Sequence, residues 1–263
     1  MARLVLDLGK SLEENASDYY EKAKKIKRKI AGAEEALQKN VEKLKKLEKE
    51  KERHDKEEIK KVEHKQRKKE WYEKFRWFFS SDGFLIIGGR DATSNEIVIK
   101  KHTDKNDLVL HTDMAGSPFF VIKSNNKEIP ESTIKEAADA TCTFSRAWKL
   151  GLQITDVFYV NPEQVSKETK AGEYMGRGAF MVYGKANYTE NKINLAIGIT
   201  KEKAIMSGPL EAVKKNCEIY AVLVQGDEKA SSVAKKINHK FGSGLDLDEI
   251  IRALPAGTLK LSR

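Results

Sequence analysis

Residues 12 to 78 contain no proline and a single glycine, Gly32, in a tract dominated by Lys and Glu. A stretch of that length without breakers is expected to run as helix. Ala23, Ile26, Ile30, Ala33, Leu37, Leu44 and Leu47 recur in alternating steps of three and four, with one gap at Asn40. That spacing is a heptad seam. Ser11 followed by Glu14 forms a capping-box signature that starts the helix. The segment KEKERHDKEE breaks the seam but holds no Gly, Pro or Asn to turn the chain. One continuous rod is therefore expected rather than a hairpin, on the order of 100 Å long at about 1.5 Å per residue. A lone helix of this kind gains little from propensity and calls for a partner.

The rod ends in WYEKFRWFF. In a helix Trp71, Phe75 and Phe78 would share one face, with Phe79 extending it and Tyr72 and Arg76 to the side. Stacking platforms for bases sit on exposed strands or loops. A helix polar all round until its last two turns reads instead as a rod anchored in a folded domain.

From residue 84 the apolar period becomes that of strands. FLIIGG, EIVIKK, DLVLHTDM and PFFVIKS, separated by RDATSN, HTDKND and AGSP, predict an antiparallel meander. IPESTIKEAADATCTFSRAWKLG predicts an amphipathic helix stopped at Gly151. Further strands are expected at ITDVFYVN, AFMVYGK, NKINLAIGIT, KAIMSG and EIYAVLVQG, and helices at LEAVKKN, EKASSVAKKINHKF and DLDEIIRAL. The fold class is α+β: a long N-terminal coiled-coil helix, then a mixed, largely antiparallel sheet domain with packed helices. The expected division is 1–79 for the coiled-coil arm and 80–263 for the domain.

Charge narrows the partners. Lys and Arg number 49 against 40 Asp and Glu, a net +9, which favours a polyanion. No apolar run approaches the roughly 20 residues that span a bilayer, so no membrane partner is expected. The two cysteines, Cys142 and Cys217, form no C-x-x-C pair, which points to a reducing compartment, the cytoplasm, with no disulfide framework. The start MARLVLDLGKS lacks the apolar core of a signal peptide. No cofactor is expected.

Basic candidates for a phosphate backbone are Lys100, Lys101 and His102 at one strand end, Arg146 and Lys149 on the long helix, and Lys167, Lys170, Arg177 and Lys185 in and beside a glycine-containing loop. A long basic loop favours function, whereas the rod's own charges read equally well as a solvated face. A second group, Arg90, Asp91, Asn95, His111 and Asp113, forms a candidate polar site. GGRDATSNE lacks phosphate-loop spacing and is predicted to lie between strands rather than to open a helix, so no helix dipole is expected there. Gly88 and Gly89 then mark a bulge or close approach, and Asp91 and Asn95 bond turn amides. His111 and Asp113, two apart on a strand, share a face, and His102 could join them if EIVIKK pairs with DLVLHTDM. A metal-dependent enzyme centred there is the least favoured reading, and no metal is assigned.

Five stretches together, ENASDYYEKAKKIKRK, WYEKFRWFFSSDGFLIIGGRDATSNE, DLVLHTDMAGSP, AADATCTFSRAW and VSKETKAGEYMGRGAFMVYGKANY, resemble in order the NFACT proteins of ribosome-associated quality control, of the archaeal and eukaryotic type. The resemblance covers the second coiled-coil arm and the C-terminal NFACT-R domain. It implies a non-enzymatic RNA- and ribosome-binding module acting on large subunits with a stalled nascent chain on tRNA. The implied partners are the large ribosomal subunit, rRNA and tRNA, together with the N-terminal part of a full-length protein. That N-terminal part, with its tRNA-recognition module and first coiled-coil arm, has no counterpart here. The chain therefore reads as a C-terminal fragment or a short relative, and tail elongation does not carry over to it. The unpaired seam predicts a homodimer through the coiled coil. A protein–protein scaffold without RNA binding is the alternative.

Overall fold

The computed structural model describes residues 5–65, 68–168 and 176–262. The chain divides into two compact units, Met1–Lys60 and Lys61–Arg263.

In the first unit α1 (Leu12–Lys65) begins where the capping box predicts. The Ser11 amide donates to the Glu14 carboxylate at 2.8 Å and the Glu14 amide to Ser11 Oγ at 3.2 Å. Buried Asn15 folds the preceding residues onto this first turn, donating to the Asp7 and Ser11 carbonyls while accepting from the Asp7 amide. Along the helix Ile26, Ile30, Leu37, Val41, Leu44 and Leu47 are all exposed.

The second unit corrects the expected rod end. Trp71–Lys74 form one 3-10 turn, and Arg76–Phe79 form strand β1. The domain sheet therefore begins before residue 80, and the compact unit begins at 61 rather than 80. The physical reason lies in RWFF. A helix would bury one face of this run, whereas a strand between two packed layers buries both, and Trp77 and Phe78 are each under 6% exposed. Aromatic residues also suit a pleated, covered surface. Phe75 and Phe78 are at most 1% exposed, each contributing about 2–3 kcal/mol of apolar burial, while Trp71 remains 43% exposed. The aromatic segment does anchor the chain in the domain, but as strand.

β1 pairs antiparallel with β2 (Leu85–Gly88), at the edge of a six-stranded sheet. Beyond β2 come β4 (Phe120–Ile122), β3 (Leu108–Thr112), β5 (Val157–Val160) and β8 (Asn187–Thr189), every neighbour antiparallel. A four-stranded antiparallel sheet runs β10 (Ile205–Gly208), β9 (Leu195–Thr200), β11 (Cys217–Glu228), β12 (Leu259–Leu261). Val165–Ser166 (β6) and Met181–Val182 (β7) make a small separate ladder. The two large sheets meet at β1: the Phe79 amide donates to Met206 Sδ at 3.5 Å, and a Cβ on Gly208 would lie 2.8 Å from the Phe78 ring. The α+β class holds, and the strands at 85–88, 108–112, 120–122, 157–160, 195–200, 205–208 and 217–228 overlap predicted runs, whereas β6, β8 and β12 lie outside them.

Two elements differ further. EIVIKK is not a strand: residues Ala92–Lys101 form helix α2, with Asp91 as its N-cap. β-Branched residues disfavour helix modestly, but the cap and the burial of Asn95 and Val98 on one face outweigh that preference. The long amphipathic helix is two pieces, α3 (Glu131–Thr143) and α4 (Arg146–Leu150). Ser145 divides them, its hydroxyl donating to the Cys142 carbonyl at 2.7 Å and accepting from the Ala147 amide at 3.0 Å. Gly151, at φ 74°, ends α4 as predicted. α3 covers the strands of the larger sheet, while α5 (Leu210–Asn216), α6 (Ala230–Lys240) and α7 (Leu247–Ala253) pack against the smaller one.

Candidate functional site

The first turn of α2 is fixed by two close approaches. A Cβ on Gly89 would fall 1.8 Å from Asn95 Oδ1, so only glycine lets the helix land on the end of β2. Asn95 Oδ1 in turn accepts from the Phe119 amide at 3.1 Å. Gly178, at φ +76°, lies where a Cβ would meet the Ala92 backbone at 2.5 Å, which seats the chain at 177–180 against the same turn. GGRDATSNE thus opens a helix after all. Its amides are nonetheless taken from within: Ser94 N donates to the Asp91 carboxylate at 2.7 Å, and the Arg90 and Asp91 amides both donate to Ser94 Oγ at 2.8 Å. The Ser94 amide, with the Ser94 hydroxyl, the Thr93 amide and the charge of Arg90 adding to it, holds the Asp91 carboxyl below its ordinary range.

Around this turn opens a cavity of about 440 Å³, walled by Arg76, Arg90, Arg177, His111 and residues 115–119, with Phe144 and Phe180. Arg76 Nη1 donates to the Leu254 carbonyl at 3.1 Å, and its guanidinium lies 4.3 Å over the Phe144 ring. Burial, reinforced by Arg90, brings its pKa down to about 9. Arg90 Nη2 donates to the Glu73 and Phe75 carbonyls at 3.2 and 2.8 Å, while its buried Nε has no partner. An orphaned buried donor costs about 1–3 kcal/mol. Burial and Arg252 also lower the Arg90 pKa, opposed by Asp91 and Glu249. Arg177 is exposed on the wall, and a Cβ on Gly116 would sit 3.7 Å from the side chain of exposed Arg146. None of these four arginines has a carboxylate within ion-pair distance among the described residues. Asp91, also on the wall, and Glu249 act on Arg90 only from beyond ion-pair distance, so positive charge dominates the cavity.

His111 lines the same cavity but is not a free base. Its ring packs edge-on to Phe119 at 3.8 Å, Nδ1 accepts from the Thr112 amide at 2.6 Å, and burial holds its pKa near 4 against the pull of Asp113. Asp113 lies past the end of β3 and accepts from the Tyr188 hydroxyl at 3.0 Å. His102 does not join them. As the C-cap of α2 it stacks on Trp71 at 4.6 Å and packs edge-on to Phe75. The expected pairing failed because EIVIKK is helical, and among the described residues no three His, Cys, Asp or Glu side chains gather as a metal site.

The other basic candidates divide by partner. Lys100 and Lys167 share Glu96, at 2.7 and 3.0 Å, and Lys167 also lies over the Phe180 ring at 5.3 Å. Lys167 is thus folded toward an acidic neighbour rather than free. Lys101, Lys149 and Lys185 are exposed with no ion pair among the described residues. Lys170 lies outside the described residues. Sequence reasoning missed Arg76, which a helical reading puts to the side of the aromatic face; the consecutive apolar residues of RWFF, suited to a strand covered on both faces, were the signal for it.

Residues 74–184 match the family model described as NFACT protein RNA binding domain. The chain belongs to the NFACT family. All four arginines fall inside the matched span. The chain is 40% identical over 196 residues to the archaeal Rqc2 homolog aRqcH of Methanocaldococcus jannaschii, covering 73% of this chain and 29% of that protein. It is 38% identical over 184 residues to the ribosome quality control complex subunit NEMF of Mus musculus, covering 66% of this chain and 16% of that protein. The NEMF homolog of Drosophila melanogaster is 35% identical over 201 residues, covering 74% and 19%. The chain thus spans less than a third of the length of these relatives.

Proposed function

We propose that this NFACT-family chain is a non-enzymatic RNA-binding module of a ribosome-associated quality-control factor. In this reading it works in the cytoplasm on large ribosomal subunits that carry a stalled nascent chain on tRNA. The observation that carries the reading is the gathering of Arg76, Arg90 and Arg177 on the wall of one open cavity, with Arg146 beside Gly116 of that wall, none of them ion-paired among the described residues and all within the span that matches an RNA-binding domain. Guanidinium groups without an ion-pair partner are suited to phosphate, which they grip through paired N–H donors. Among the described residues, the candidate catalytic groups lend catalysis no support. The His111 ring is locked and neutral, and burial pushes the Cys142 and Cys217 thiols up to about 12.

The test is binding of a labelled rRNA or tRNA fragment to the full chain across a salt series. Each phosphate contact steepens the fall of log affinity with log salt by about 0.7–0.9. A slope of several units is the expected result. A flat response would sink the RNA reading and leave the scaffold alternative, which the exposed heptad side chains of α1 favour. The same seam supports a coiled-coil partner: the N-terminal part of a full-length protein, or a second copy when this chain is alone.

A further inference from the structure

We infer that the cavity at the first turn of α2 receives one unpaired, phosphate-bearing nucleotide of an RNA strand. The inference rests on the RNA-binding reading and adds to it a place and a form of ligand. A hollow of about 440 Å³ lies within the range of small-ligand pockets, about 300–1,000 Å³, and admits a nucleotide but not a duplex. A helix of RNA could reach only Arg146 and Arg177, which are exposed; Arg76 and Arg90 are partly buried. Only a nucleotide turned out of its strand could bring a phosphate to both pairs.

The walls also suit a base. Phe119, Phe180 and Pro118 line the cavity, and the Arg76 guanidinium already makes a cation–π contact with Phe144, 4.3 Å from the ring centre. Unpaired bases are commonly read by stacking on such aromatic and guanidinium planes. The counter-argument is Asp91, the carboxylate on this wall. It is tied to the Ser94 amide and hydroxyl, and three arginines outnumber it. The amides of Arg90, Asp91 and Ser94 at the start of α2 are likewise occupied, so capture of the anion falls to the arginines. A phosphorylated peptide would offer the anion without the base and is the competing ligand.

The experiment measures fluorescence anisotropy of two labelled RNA hairpins, one blunt and one with a short single-stranded overhang, on the full chain. Arg177→Ala is the variant, because Arg177 is exposed and its removal spares the core; Lys127→Ala is the control at an exposed site away from the cavity. The expected result is a preference for the overhang that Arg177→Ala reduces about tenfold, with a salt slope lower by about 1 and a clearly smaller loss on the blunt hairpin, whose backbone reaches Arg177 only from outside. Uridine monophosphate should compete, inorganic phosphate and a phosphoserine peptide much less, and the Gly116 and Gly178 amide resonances of the unmodified chain should shift with the mononucleotide. Equal loss on both hairpins, no loss, or equal competition by phosphate or peptide overturns the nucleotide site while RNA binding stands. Absence of salt-dependent binding to either hairpin instead removes the RNA reading itself.

Discussion

His111 shows how a polar residue is put to structural use. The sequence places it two residues from Asp113 and invites a catalytic reading. What the sequence could not reveal is the edge of Phe119 against the ring or the Thr112 amide on Nδ1. Both favour the neutral form, and burial holds the pKa near 4 against an ordinary 6.5. The sign follows directly. Between those values the unfolded chain takes up the proton and the folded chain resists it, so the stabilisation is present above about pH 6.5 and is lost as pH falls toward 4. Its ceiling is about 3 kcal/mol. Urea midpoints should therefore drop less over that window in His111→Gln than in the unaltered protein. Identical pH profiles would show that the imidazole is not the group resisting protonation. Arg90 was legible as polar, yet its orphaned Nε was not, because that depends on where Glu73 and Phe75 present their carbonyls.

At the scale of elements, errors fell where local preference and tertiary demand disagree. EIVIKK alternates like a strand, and only Asp91 and Ser94 disclose the cap that turns it into α2. RWFF followed a long helical tract and was absorbed into it, although its apolar residues sit on both sides of the backbone. By contrast Gly88 and Gly89 were rightly read as a close approach, since two adjacent glycines after an apolar run have few other uses. Gly89→Ala tests the contact. Its Cβ would meet Asn95 Oδ1 at 1.8 Å and Asn95 Cα at 2.9 Å, so α2 must move off the sheet. A loss of about 1–3 kcal/mol in urea denaturation is expected from such overpacking. The same substitution should weaken RNA binding, because α2 carries one wall of the cavity. Unchanged stability would mean the helix has room that the geometry denies it.

For the whole molecule, the class was legible because its two halves are written in different periods: heptads along α1 and short apolar runs punctuated by turn residues beyond residue 84. Strand order was not legible, since β2, β4, β3 and β5 neighbour one another out of chain order. Nor could the basic residues be sorted by sequence, because Glu96, already paired with Lys100 one turn on, also takes Lys167 from 71 residues away. The exposed row from Ile26 to Leu47 leads to a prediction at this scale. Sedimentation equilibrium of the isolated chain at tens of micromolar, roughly the range in which modest coiled coils associate, should report a dimer. Leu37→Lys with Leu44→Lys should return it to monomer. A monomer before any substitution would refute pairing through the seam.

The place of β1 also governs where the chain can be cut. A fragment begun at residue 80, the border suggested by the end of the aromatic run, would discard the segment whose Phe78 touches the second sheet. It would also leave β2 with a bare row of amides and carbonyls open to any passing strand, a route to clumping. A fragment begun at residue 68 keeps its own seal, and is the shorter piece to carry into structural work.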